Sequence, residues 1–268
     1  VLHKEGYEVA SIAGCSMGAL IGGIYAAGEL DKFADWVCGI TKLEIVQLLD
    51  VAWQSDGLVK GDKIIDKLVD LVGDQQIEDL PMPFTAIATD ITNGGEVWLS
   101  RGRLFDAIRA SISLPLFFTP VERRGAKLID GGCLNPVPIA PTLADDTDIT
   151  VAVNLNGPPH NKGEPEEGEK KTKSSSAVRQ WIENTIDDLT DSLSKRVNGD
   201  WDAYDVANQA FDTMQTTIAR QKMAAYPPDV YIELPRDACG TLDFDRADEM
   251  IELGRDKATR ALGEFRGR

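Results

Sequence analysis

Histidine is nearly absent from this chain: its 268 residues include two, His3 and His160. A nucleophile that needs an imidazole base has little to choose from. Cysteine is also scarce. Cys15, Cys38, Cys133 and Cys239 show no C-x-x-C spacing, which argues against a metal knuckle or a disulfide framework and for a reducing, cytoplasmic setting. No metal, calcium loop or other cofactor is expected. No apolar run reaches the roughly 18 residues of a membrane span, and no signal-peptide pattern opens the chain. Positive charge is in deficit, with 28 Lys and Arg against 44 Asp and Glu and a net charge of −16. A nucleic-acid partner needs a basic footprint, so none is expected. Strong bulk attraction to anionic lipid is not expected on the same ground.

What the chain does have is Gly14-Cys15-Ser16-Met17-Gly18, a G-x-S-x-G pattern. The apolar stretch Glu8 to Ala13 before it reads as a buried strand. The small-residue stretch Ser16 to Ala27 reads as a helix. The serine then sits on a strand-to-helix elbow, with a strained backbone and an exposed Oγ. Gly14 and Gly18 are expected to lack side chains because strand and helix cross closely there. Met17 N–H, at the helix N-terminus, is the candidate oxyanion donor.

Further along, helices are expected over Glu29 to Leu49, Asp62 to Val72, Leu104 to Ser111 and Arg246 to Leu262. Strands are expected over Phe84 to Thr89, Glu96 to Ser100, Lys127 to Asp130, Asp148 to Asn154 and Val230 to Leu234. Alternation of the two predicts an α/β fold with a mostly parallel sheet covered by helices on both faces. Residues 157–176 are rich in Pro, Gly, Glu, Lys and Ser and read as a flexible loop. A helical segment over 178–223 follows. One stripe runs Val178, Ile182, Ile186, Leu189, Leu193 and Val197, and a second Val206, Ala210, Met214 and Ile218. This segment either packs on the sheet or covers the site. The opening VLHKEGYE reads as the tail of a helix, so the domain is expected to be truncated at its N-terminus.

For a base, Asp130 in Leu128-Ile129-Asp130-Gly131-Gly132 stands at a strand end, where open α/β sheets place their sites. A plain Asp-Gly turn is the ordinary alternative. His160 offers another: Ser16, Asp130 and His160 stand in the order of an α/β-hydrolase triad. The apolar run Leu114, Leu116, Phe117 and Phe118 is either an acyl-pocket wall or core.

Several blocks, in order, resemble a known family: GCSMG at 14–18, FTAIATDITNGGEVWLSRG at 84–102, AIRASISLPLFFTPV at 107–121, LIDGG at 128–132 and PPDVYIEL at 227–234. The chain is similar to bacterial patatin-like phospholipases, of the cytosolic branch related to the catalytic domain of neuropathy target esterase. The resemblance implies a single three-layer patatin-like domain and a Ser–Asp dyad without histidine. Ser16 would be the nucleophile, Asp130 the general base, and Gly131 and Gly132 the glycines of its D-G-G motif. It also implies hydrolysis of fatty-acyl esters of phospholipids or lysophospholipids, with at most a transient membrane contact. In that family a G-G-x-[KR]-G oxyanion loop lies upstream of the elbow. This sequence begins after that point, so an impaired patatin-fold scaffold or regulator is the non-enzymatic alternative.

Overall fold

The computed structural model describes residues 1–49, 59–159, 203–240 and 243–267. The chain enters through a single 3-10 turn, Leu2–Glu5, closed by Gly6 at φ 83°, rather than through an α-helix. β1 (Ile12–Cys15) leads straight into α1 (Met17–Ala26), followed by α2 (Leu30–Gly39) and α3 (Lys42–Leu48). The single helix expected over Glu29 to Leu49 is therefore two. Ile40 is extended, and Thr41 and Glu44 form a reciprocal capping box that starts α3. That T-x-x-E signal is legible in the sequence.

α4 (Asp62–Val72), β2 (Phe84–Asp90), β3 (Gly95–Leu99) and α5 (Leu104–Ser111) come next. They are followed by β4 (Val121–Arg123), β5 (Ala126–Asp130) and β6 (Val151–Gly157). α6 (Ala203–Ala225), β7 (Val230–Pro235) and α7 (Ala247–Arg266) end the described chain. His160, the helical stripe beginning at Val178 and most of the 157–176 segment lie outside the described residues; 157 itself closes β6.

The described strands form two sheets, a two-stranded one of β6 and β7 and a five-stranded one in the order β1-β2-β5-β4 with β3 also on β2; the larger is mixed rather than mostly parallel. β1 pairs β2 in parallel and β6 pairs β7 in parallel, but β2–β3, β2–β5 and β4–β5 are antiparallel. The reason is connection length. Short turns join β2 to β3 and β4 to β5, and a hairpin turn can only reverse the chain. At the first turn Asp90 Oδ1 accepts from the N–H of Thr92 and Asn93, and Gly94 takes φ 75°.

The register of β2 positions everything that follows. Residues 86–87 pair β1 and β3 at once, and residues 88–90 pair β3 and β5 at once. A strand has two edges, so β3 holds one, and β1 and β5 share the other end to end. Cys15 opposite Ile87 is the last pair of β1, and Asp130 opposite Ala88 is the adjoining pair of β5.

The main core gathers Ala19, Leu20, Ile24, Phe33, Leu68, Phe84, Ala86, Ala88, Leu104, Phe105 and Ile108, drawn from α1, α2, α4, α5 and β2. α1 lies close to the sheet because its small residues permit it: a Cβ on Gly22 would meet Ile12 Cγ2 at 2.7 Å. A second cluster joins Ala219 of α6 to Val137, Ile139 and Ala152. A third packs α7 on β7 through Val230, Ile232 and Leu262, with Val1, Leu2 and Tyr7 alongside. Among the described residues no helix is long and apolar enough to cross a membrane.

Candidate active site

Ser16 forms the elbow between β1 and α1 with φ 51° and ψ −123°, a conformation few L-residues adopt. The close approach that permits it belongs to Gly14. A Cβ there would stand 2.3 Å from the backbone carbon and oxygen of Gly18. Gly18 differs from expectation, since a Cβ on it meets nothing within 4 Å. Its backbone, not its missing side chain, is what Gly14 requires. Gly14→Ala is accordingly expected to destabilise the fold by about 3 kcal/mol, the upper range for overpacking. Gly18→Ala should change stability by less than about 1 kcal/mol. Urea titrations of both variants check the contrast, and equal losses would contradict it.

Met17 opens α1, and among the described residues its N–H has no acceptor. It stands one residue from Ser16 Oγ at the positive end of the helix, the place for a donor to a developing oxyanion.

Asp130 ends β5 and is 1% exposed. Its Oδ1 accepts from Gly132 N–H at 2.7 Å, which turns the chain sharply into the 3-10 turn Gly131–Cys133. Gly131 must lack a side chain, because a Cβ would sit 2.2 Å from Ile87 O. The constraint at Gly132 is softer, since a Cβ there meets the far end of Gln215. Oδ2 is buried without a hydrogen-bond partner. The Ser16 side chain lies near enough to favour the charged carboxylate, yet no hydrogen bond of ordinary length joins the two. Such bonds are often long in unliganded sites and close when substrate binds. Burial pushes the carboxyl up from 3.8 to about 6, against the opposing pull of Ser16 and of Gly132 N–H. A carboxylate at about 6 is a far better base than one near 4.

The rest of the sequence-predicted set is divided. His3 stacks on Tyr25 and meets its hydroxyl at 2.6 Å. Tyr25 is eight residues along α1 from Met17, a rise of about 12 Å, so His3 serves the far end of the helix. His160 lies outside the described residues. Phe117 is buried, and Leu114 and Phe118 pack partly buried against the main core. Leu116 is 45% exposed with φ 68°, a strained conformation for a leucine. Arg109 secures this loop: its guanidinium donates to Lys60 O, Ser113 Oγ and Thr119 O and lies 5.4 Å from the Phe118 ring centre. A groove of about 350 Å³ lined by Asp62, Ile65, Asp66, Arg103, Asp106, Val121 and Arg123, among others, contains neither Ser16 nor Asp130.

Sequence reasoning missed several supporting residues. Glu96 accepts from Lys222, Trp98 and Asn135, tying α6 to β3 beside the D-G-G turn. Burial opposes ionisation of Glu96, but Lys222 with Trp98 and Asn135 holds its carboxyl below the usual range. Of the stripe Val206, Ala210, Met214 and Ile218, the first three prove exposed and Ile218 is partly buried. α6 instead turns inward the side carrying Gln215, Ala219, Lys222 and Met223, of which Ala219 is fully buried and the others partly. Two of those four are polar, so a hydrophobic period points to the wrong face.

The sequence model of the family described as patatin-like phospholipase matches residues 1–143, more than half of the chain. The chain belongs to the patatin-like phospholipase family. Over 309 aligned positions it is 36% identical to an uncharacterized NTE family protein of Mycobacterium tuberculosis, covering 98% of this chain and 86% of that protein. It is 26% identical to Lysophospholipase NTE1 of Saccharomyces cerevisiae, an alignment over 95% of this chain but 15% of the yeast protein. It is 27% identical to patatin-like phospholipase domain-containing protein 7 of Mus musculus, over 94% of this chain and 18% of the mouse protein. This patatin-like chain therefore corresponds to a small part of the two eukaryotic proteins and to most of the mycobacterial one.

Proposed function

We propose that this patatin-like protein is a serine acyl hydrolase that cleaves fatty-acyl esters of phospholipids or lysophospholipids through a Ser16–Asp130 dyad. The observation that carries the reading is Asp130: a fully buried carboxyl beside the elbow serine, with one oxygen unpartnered and its pKa raised to about 6. Asp130 takes the Ser16 proton as Oγ attacks the ester carbonyl. Negative charge developing on the carbonyl oxygen meets Met17 N–H and the α1 N-terminus. The leaving alcohol recovers the proton from Asp130, and Ser16 holds the acyl group. Water then attacks the acyl-enzyme while Asp130 accepts its proton. The fatty acid departs and the proton returns to Oγ.

The test is covalent trapping. A fluorophosphonate should label one serine, and mass spectrometry should place the adduct on the peptide containing Ser16. Adduct on another serine sinks the assignment. The base also fixes the pH dependence. Asp130 works only when charged, so kcat/KM should fall tenfold per pH unit below about 6 and level off above it. A profile flat from pH 5 to 8 would exclude Asp130 as the base.

A further inference from the structure

The junction where β1 and β5 meet on one edge of β2 leaves a gap in the ladder. Ile87, the β2 residue of the last β1 pair, stands at this gap, next to Ala88 of the adjoining β5 pair. One side chain fills it. Ser111, the last residue of α5 and 0% exposed, donates its hydroxyl to Ile87 O at 2.6 Å. The Ser111 hydroxyl oxygen in turn accepts from Ser16 N–H at 2.9 Å. A serine within a helix ordinarily turns its hydroxyl back to the carbonyl four residues earlier. Ser113, two residues past the end of α5, makes that same bond to the carbonyl four residues earlier, donating to Arg109 O at 2.8 Å. Ser111 instead spans from its helix to the sheet and to the elbow.

Resting on the dyad reading above, we propose that Ser111 is a positioning residue for the nucleophile: its hydroxyl holds the strained Ser16 backbone in register with Asp130. The end of α5 reaches both partners at once. Ser111 takes the N–H of Ser16, and two residues on Ser113 O takes the N–H of Asp130 at 2.9 Å. Both Ser111 and Ser113 are fully buried. The positive φ of Ser16 turns its N–H out of the β1 ladder. With Ser111 removed that donor has no acceptor, and the elbow gains by relaxing toward ordinary φ. Oγ then swings away from Asp130, and a misplacement of about 1 Å lowers a rate by about 10²-fold.

The test compares Ser111→Ala, Ser111→Cys and Ser111→Thr with the parent chain and with Ser16→Ala, on a soluble short-chain ester and with a fluorophosphonate. Ser111→Ala should lose about 10²-fold in kcat and in labelling rate, with KM within threefold. The acid limb of its pH profile should move above the parent's value of about 6, because Ser16 no longer favours the charged carboxylate. Ser111→Thr, which retains the hydroxyl, should restore most of the rate. Ser111→Cys, with a weak donor and acceptor of similar shape, should fall between. Thermal melts count the folded fraction, and if Ser111→Ala does not fold, Ser111→Cys carries the comparison. A folded Ser111→Ala or Ser111→Cys with the parent's kcat and pH limb overturns the proposal while leaving the dyad intact. So does a loss that merely tracks the folded fraction. Activity and labelling that survive in Ser16→Ala overturn the dyad, and with it any positioning role.

Discussion

Replacing Ser16 with alanine is expected to lower turnover by roughly 10⁶-fold, the scale on which a hydrolase loses its nucleophile. Fluorophosphonate labelling should vanish with it. Folding should survive the change or improve slightly. Ser16 N–H still meets Ser111, and alanine at φ 51° is strained no more than serine. Far-UV dichroism and a thermal melt separate the two effects. Residual activity arising from Met17 N–H and substrate binding alone would be far below the parent rate. A Ser16→Ala protein retaining a tenth of the parent kcat would show that another residue performs the attack.

Asp130→Asn should combine the second-largest loss of rate with a gain of stability. Asparagine cannot accept the serine proton, and loss of a general base lowers turnover by about 10²- to 10⁴-fold. The stability effect follows from burial. The folded carboxyl titrates near 6 against 3.8 when exposed, so the folded state binds the proton more tightly than the unfolded chain. Stability therefore falls as pH rises from about 4 to about 6, by about 3 kcal/mol in all, and stays lower above that range. The amide of the Asp130→Asn variant carries no such charge. At pH 8 the variant should melt roughly 5–10 °C higher than the parent, and below pH 4 the difference should close. His160→Ala is expected to leave kcat within twofold. Were His160→Ala as damaging as Asp130→Asn, a Ser–Asp–His triad would be the better description.

Both residues of the proposed dyad are legible in the sequence, because their local chemistry is written in short motifs. Gly14 through Gly18 encode a turn, and Asp130-Gly131-Gly132 encodes a strand end that can approach another backbone. What the sequence does not show is how the two come together. The antiparallel course of β5 follows from a tight turn at Arg124 and Gly125, and strand alternation gives no warning of it. Ser111 is silent for a similar reason. A serine closing an amphipathic helix looks like any other, and its partners at Ser16 and Ile87 are far away in sequence. The packed face of α6 is obscured because two of its inward residues are polar and only partly buried: Gln215, which lies against Gly132, and Lys222, which pairs with Glu96. Leu114, Phe117 and Phe118 illustrate the opposite ambiguity, since an apolar run satisfies core and pocket equally.

β2 contributes neither residue of the proposed dyad, yet it is the ruler on which both are measured. β1 brings Cys15, the residue before Ser16, up to one mark and β5 brings Asp130 down to the next, and those marks are adjacent residues, Ile87 and Ala88. Ala86, Ile87 and Ala88 are completely enclosed, so this scale has no freedom to stretch. A slip of β5 by one position would turn Asp130 to the opposite face of the sheet. On the dyad reading, catalytic spacing in this protein is thus a property of strand pairing, and selection on three buried positions of β2 is selection on that proposed site.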